Sequence, residues 1–308
     1  MPIPWCDKLM KPFAVFFILL SLVFSTPLLA GARPSVWLLE SARGNIVLLG
    51  SIHVGDESFY PFDDAVEQAF ETASALVVEL DVTALDGAEV AAAIRKLGMF
   101  DDQQLQNKQG LSSVLTPGAQ QALAVFCRGD LKVHCPPEAQ MEAMQPWFLG
   151  LHFATAMLAN SGFQTQFGVD SYFLRRAKDK DVIELESFTQ QMQAFSGLDA
   201  RAQSDFLSQS LMEFNSGSDK VTELVDAWRH GDDDALRLLV LEPMVTAPEG
   251  QAIYRALFQR RNFSMVEKLM GQVRVGESLF VVVGAGHLLG QEGLLSLLRA
   301  KGFIASKF

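Results

Sequence analysis

Two stretches far apart in the chain share one pattern, a short apolar, β-branched run that leads into Gly-x-x-His. The first is Asn45-Ile46-Val47-Leu48-Leu49-Gly50-Ser51-Ile52-His53-Val54-Gly55, and the second is Leu279-Phe280-Val281-Val282-Val283-Gly284-Ala285-Gly286-His287. Each run predicts a buried strand, with Gly50 turning the first one without a Cβ penalty. Each histidine is delivered just past the carboxyl end of its strand. Ligands of open α/β sheets sit outside those ends, so His53 and His287 meet at one site if their strands are near neighbours.

The segments between and around these runs fill in the rest of the fold. Val36–Glu40 and Asn45–Leu49, separated by Ser41-Ala42-Arg43-Gly44, predict a hairpin. Phe62 to Ala73 has apolar residues at helical spacing, and Leu76–Leu80 reads as another buried strand, so His53 to Leu80 forms a strand–helix–strand unit, the signature of a parallel pair. Helical patterns cover Ala88 to Leu97 and most of the chain on to Phe173, with Thr116-Pro117 as a helix start. Gln145 to Leu158 is strongly apolar yet short and interrupted by His152, which makes it a core helix. A helix over Asp170 to Lys178 precedes a strand, Asp181–Leu185. Further helical patterns run from Thr189 to Met270, with breaks near Gly197, Gly217, Gly231 and Pro243–Pro248. After the second histidine come a helix over Leu294–Ala300 and a last strand, Phe303–Ser306. The fold class expected is α/β (α+β): a central mixed, partly parallel β-sheet with flanking helices and a large helical insertion between the two Gly-x-x-His motifs.

Residues 1–32 are set apart from this domain, which spans 33–308. Lys8 and Lys11 precede an apolar run from Phe13 to Phe24, and Ala30-Gly31-Ala32 offers a small-residue cleavage site, the layout of a signal peptide. An uncleaved anchor in the inner membrane is the alternative; export to the periplasm is the preferred reading. Without Lys8, Lys11 and Asp7 the net charge moves from −11 to −12. An acidic chain with no Lys/Arg stripe is a poor partner for nucleic acid. Cys127 and Cys135 are then the remaining cysteines, and two readings stand: a small disulfide loop, or a Cys/His metal site with His134. The disulfide is preferred, because structural zinc needs four ligands.

His53 and His287 lead the candidates, since imidazole is the commonest transition-metal ligand and also a general base. Glu79 follows the buried run Leu76-Val77-Val78, where a charge costs free energy unless it is paired or bound to a metal. Its strand follows His53, so it is expected beside that histidine. Two histidines and one carboxylate form a ligand set of catalytic zinc and related metals, with a position left for water. Glu186 lies at the carboxyl edge of its own strand. Arg261 and Asn262, read from spacing alone, are a solvated arginine and a helix cap. Ser51 lacks the spacing of a triad serine, and His134, His152 and His230 read as structural or surface residues.

The chain resembles the TraB/GumN family, which includes the Tiki metalloproteases. The resemblance rests on Gly50–Gly55, Val77-Val78-Glu79-Leu80-Asp81, Phe167-Gly168-Val169-Asp170-Ser171-Tyr172-Phe173, Ile183–Ser187 with Gln190-Gln191, Arg261-Asn262-Phe263-Ser264-Met265 and Gly284–Gly290, in the family's order. It implies a protease dependent on a divalent ion such as manganese or cobalt. His53 and His287 become metal ligands or catalytic histidines, and Glu79 a ligand or base. Arg261, Asn262 and Glu186 are raised to site residues. The reading that follows is an exported metal-dependent hydrolase, peptidase-like, acting on a peptide or small molecule with Mn, Co or Zn. Related folds include haem-binding ChaN proteins and erythromycin esterases, so the alternative is a non-catalytic haem-, iron- or partner-binding protein.

Overall fold

Four of the apolar runs lie side by side as parallel strands in a computed structural model, which describes residues 31–129, 135–215, 219–247 and 250–308. Residues 1–30 of the expected leader, together with His134, Gly217 and Pro248, lie outside the described residues. In chain order, β1 (Val36–Ser41) and β2 (Gly44–Ser51) form the hairpin, and α1 (Asp64–Thr72) leads to β3 (Ala75–Val78). After a helical stretch come α2 (Val169–Arg176), β4 (Asp181–Glu184), α3 (Asp219–Arg229) and α4 (Arg260–Met270). The chain then returns to the sheet with β5 (Ser278–Gly284), α5 (Leu294–Ala300) and β6 (Ile304–Lys307).

The strand order is β4-β3-β5-β2-β1-β6. β4, β3, β5 and β2 run parallel, whereas β1 is antiparallel to both β2 and β6. The mixed, partly parallel sheet is therefore the one expected. Its internal order corrects one expectation. β2 and β3 are joined through α1, yet they do not pair; β5 inserts between them, with Ser51 opposite Gly284 and Val78 opposite Val282.

Continuous apolar sequence in β2, β3 and β5 follows from burial on both faces. One face places Val47, Leu49, Leu76, Val78, Phe280 and Val282 against Phe70 of α1, Phe173 of α2 and Trp228 of α3. The other places Ile46, Leu48, Val77, Val281 and Val283 against Met265 and Leu269 of α4 and Leu298 of α5. Each such buried side chain contributes about 1.5–3 kcal/mol, which is why the central register is fixed. The edges carry polar residues, Asp181 and Glu184 on β4 and Lys307 on β6, as exposed strand edges generally do.

A third core holds the helical insertion together: Phe126, Leu149, Phe153, Leu207 and Leu211 from the helices Pro117–Phe126, Pro146–Asn160 and Ala200–Asn215. Thr116 caps the first of these, its side chain accepting from the Ala119 amide. Cys127 and Cys135 form a disulfide at the end of that helix, which settles these two thiols. Among the described residues no helix is long and apolar enough to cross a membrane. Two π-helical segments, Arg237–Leu241 and Arg255–Gln259, were not legible as such, and Pro243 continues a helix after the first of them.

Gly50 has a different use from the turn expected of it. β2 runs straight through it to Ser51, and a Cβ there would lie 3.1 Å from Ala285 Cα and 3.2 Å from Ala285 Cβ. The missing side chain lets the segment that follows β5 pack directly on β2. Trp228 donates from Nε1 to the Gly50 carbonyl at 2.7 Å and pins the same point of the strand.

Candidate active site at the carboxyl edge of the sheet

The parallel arrangement sets four side chains along one edge. Glu186 follows β4, Glu79 follows β3, the short helical turn Ala285–Leu288 after β5 carries His287, and His53 follows β2. Because β5 lies between β3 and β2, His287 stands directly beside Glu79, and Glu79 and His53 also feel each other's charge, the sharing expected of them. Glu79 Oε1 lies 3.8 Å from His287 Nε2, and both side chains are buried.

Arg261 organises the carboxylates. Its Nη2 donates to Glu79 Oε2 and to Glu186 Oε2, each at 2.6 Å, and its Nε donates to Glu186 Oε1 at 2.9 Å. Gln191 adds donations to Glu79 Oε2 at 3.2 Å and Glu186 Oε2 at 3.3 Å. Glu79 Oε1 accepts the Gly284 amide at 2.7 Å. The two carboxylates thus share one guanidinium, as buried charges require. Burial alone would push the Glu79 carboxyl up; the neighbouring positive charges, His287 when protonated and Arg261 foremost, outweigh it and hold the group at about 2. The same pairing raises Arg261 against the lowering effect of its own burial.

His287 is held by Asn262. Its Nδ1 and the Asn262 Oδ1 are 2.5 Å apart, and Asn262 Nδ2 donates to the Glu292 carbonyl at 2.7 Å, which orients the amide. The reading of Asn262 as a helix cap is therefore set aside: α4 continues from the π-helical segment before it, and Asn262 faces the site, buried. With Nδ1 as the donor, Nε2 is unprotonated and faces Glu79. Burial lowers the His287 imidazole to about 4, against the raising effect of the Glu79 charge, so it is neutral at neutral pH. Phe258 packs against its ring, 5.1 Å between centroids.

His53 is at the mouth, its side chain 70% exposed, with Nδ1 3.0 Å from Asp170 Oδ2. The Asp170 charge and hydrogen bond raise its imidazole to about 9. Ser51, which sequence spacing did not favour as a nucleophile, donates its hydroxyl to Asp170 Oδ1 at 3.0 Å and is buried. Two contributors went unselected at the sequence level, Asp170 and Gln191. The first opens a helix and the second follows a capping residue, so local pattern assigns both to helix ends. His152 and His230 lie away from this row, His152 against Phe153 and His230 bonded to the Asp226 carbonyl.

The donor set, a neutral imidazole beside an ionised carboxylate with a second imidazole at the rim, suits a borderline divalent ion. Two atoms bonded to one tetrahedral ion at about 2.1 Å lie about 3.4 Å apart, close to the 3.8 Å between His287 Nε2 and Glu79 Oε1. Among the described residues no three His, Cys, Asp or Glu side chains already converge on one point. His287, Glu79 and His53 are the residues that would hold such an ion.

The model of the TraB/PrgY/gumN family matches residues 35–307. An uncharacterised protein of Treponema pallidum (strain Nichols) is 21% identical over 304 residues, covering 93% of this chain and 89% of its own length. The uncharacterised protein YbaP of Escherichia coli (strain K12) is 25% identical over 273 residues, 86% of this chain and 92% of its own. YbaP of Shigella flexneri is 25% identical over 259 residues, covering 82% and 87% respectively. No solved structure matches.

Proposed function

The chain belongs to the TraB/PrgY/gumN family, and from that premise we propose that it is an exported metal-dependent hydrolase, peptidase-like in its reaction. The observation that carries this reading is His287, whose Nδ1 is fixed by Asn262 and whose Nε2 faces Glu79 Oε1 at 3.8 Å. His287, Glu79 and His53 would hold one divalent ion, Mn, Co or Zn. Such an ion, when bound, lowers the pKa of a coordinated water towards neutrality and polarises the scissile carbonyl.

The protein's own groups then divide the remaining work. Glu79 is ionised across the working range and offers Oε1 as ligand or as the acceptor of a proton from water. Glu186 has both oxygens occupied by Arg261, so it serves as counter-charge rather than base. Arg261 spends its donors on the two carboxylates and the Leu257 carbonyl, and Asn262 spends its amide on Glu292. Both hold the site in shape, and the second N–H on Arg261 Nη1 or on Asn262 Nδ2 is the donor left to steady an oxyanion. The disulfide supports an oxidising compartment, and with the leader-like residues 1–32 it favours the periplasm, either free or held at the inner membrane by an uncleaved segment.

The test is metal content by elemental analysis after dialysis against individual divalent ions, beside a peptidase screen, for wild type, His53→Ala and His287→Ala. About one ion per chain is expected in the wild type, with loss of ion and turnover in His287→Ala. Full metal and activity in both variants would end the proposal. A Soret band on haem titration, abolished in both variants, would replace it with a haem-binding role.

A further inference from the structure

Asp170 has no part in the reading above, yet it is a buried carboxylate aimed at His53. We propose that Asp170 is a positioning residue, holding His53 with Nδ1 protonated so that Nε2 is the atom presented to an ion or substrate. This rests on His53 belonging to the site, as argued above.

A buried carboxylate costs free energy unless its charge is met. Among the described residues no lysine or arginine forms an ion pair with Asp170; its charge partner is His53, and its second bond comes from the Ser51 hydroxyl. Asp170 sits in the first turn of α2, where a carboxylate ordinarily serves the free amides of its own helix. Neither oxygen does so here. Oδ1 accepts from Ser51 and Oδ2 from His53, both at 3.0 Å, so one residue on each side of Ile52 fixes the plane of the carboxylate.

The backbone is fitted to the same purpose. The Val169 amide donates to the Ile52 carbonyl at 3.0 Å, seating the start of α2 on the end of β2. A Cβ on Gly168 would lie 2.6 Å from the His53 carbonyl oxygen, so a glycine alone permits that approach. Gly55 and Gln164 exchange backbone bonds of 3.0 and 2.8 Å and hold the far side of the His53 loop. Segment 164–170 is thus a brace laid on residues 51–55.

An ionised carboxylate only accepts, so the ring nitrogen facing Asp170 must carry a proton. The remaining nitrogen, Nε2, keeps its lone pair when the imidazole is neutral. Metal-ligating histidines commonly donate their second N–H to such a partner, which fixes tautomer and ring orientation. The two histidines differ in that partner: Asn262, an uncharged acceptor, for the buried His287, and Asp170, a charged one, for the exposed His53.

The test is ¹⁵N NMR of the imidazoles, with His53 assigned from a His53→Gln variant and spectra recorded with its ring neutral. The wild type is expected to carry the proton on Nδ1, and Asp170→Ala to shift it towards Nε2, the form favoured by a free side chain in water. In parallel, Co²⁺ titration of the purified Asp170→Ala protein is expected to give a Kd about 10–100-fold weaker. A wild-type His53 with its proton on Nε2 would overturn the proposal without recourse to any variant. So would a folded Asp170→Ala protein whose tautomer matches the wild type. A wild type that binds no Co²⁺ would count against the ion, whereas the tautomer result would still decide the role of Asp170.

Discussion

His287 Nε2 and Glu79 Oε1 face each other across 3.8 Å, an imidazole kept neutral by burial beside a carboxylate kept ionised by its neighbours. Folding therefore lowers the proton affinity of both groups.

The first consequence is on the acid side. A lowered histidine favours the folded state fully above its unfolded value of 6.5, and the benefit is lost as pH falls through about 4. That interval corresponds to a loss on the order of 3 kcal/mol. Glu79 extends it, since stability present above 4.5 is lost as pH falls towards about 2. Urea denaturation at neutral pH and at steps down to pH 4 should show the decline, and His287→Gln should flatten it.

On the alkaline side the sign reverses. Folding raises His53 from 6.5 to about 9, so its contribution is complete below 6.5 and disappears as pH rises through about 9. Exposure of the ring to water screens the pair and keeps the effect small. Thermal melts from neutral to pH 10 should fall more gently for His53→Gln than for wild type. Identical slopes in the two proteins would show that Asp170 exerts no hold on His53.

Arg261 is the group whose loss should cost most. Arg261→Met leaves Glu79 and Glu186 buried side by side with no guanidinium between them. Removing one partner of a buried ion pair costs about 3–5 kcal/mol, so the denaturation midpoint should drop sharply. Adding Glu186→Gln to that variant should restore part of the loss, because one of the two stranded charges is then gone. A midpoint within experimental error of wild type for Arg261→Met would contradict the buried network.

Gly50 links β2 to the turn that carries His287. Gly50→Ala would press its methyl against Ala285, whose Cα and Cβ would lie 3.1 and 3.2 Å away. Overpacking of this kind costs about 1–3 kcal/mol. If His287 holds an ion as proposed, the variant should lose metal affinity as well as stability, because the displaced segment is the one bearing His287. A variant with wild-type ion binding would mean that the turn absorbs the methyl without moving the histidine.

Much of this was readable from residue order alone. The apolar runs of β2, β3 and β5 are buried on both faces, so their strand character shows in composition without any need of alternation. Glycine and histidine at fixed offsets then marked His53 and His287, which follow neighbouring strands at one edge of the sheet. Which strand neighbours which was not readable, because pairing depends on where a distant segment inserts; hence β5, with His287, comes between the strands of His53 and Glu79. Arg261 and Asn262 gave only a helix-terminal signal, since the π-helical turn that aims them inward leaves no periodic trace. Asp170 was hidden for a related reason: an acidic residue in a helix's first turn is commonplace, and only the fold reveals that its oxygens serve another strand.

The insertion of β5 between β2 and β3 carries a consequence for the order in which the molecule becomes competent. β2 and β3 are close in sequence, but the strand that joins them arrives more than two hundred residues later. Closing so long a loop carries an entropic cost that local contacts do not share. Until β5 docks, β2 and β3 each have an open edge, His287 is absent from its place, and Glu79 lacks the bond from the Gly284 amide. The row of Glu79, His287 and His53 is therefore brought together only once nearly all of the chain has been made.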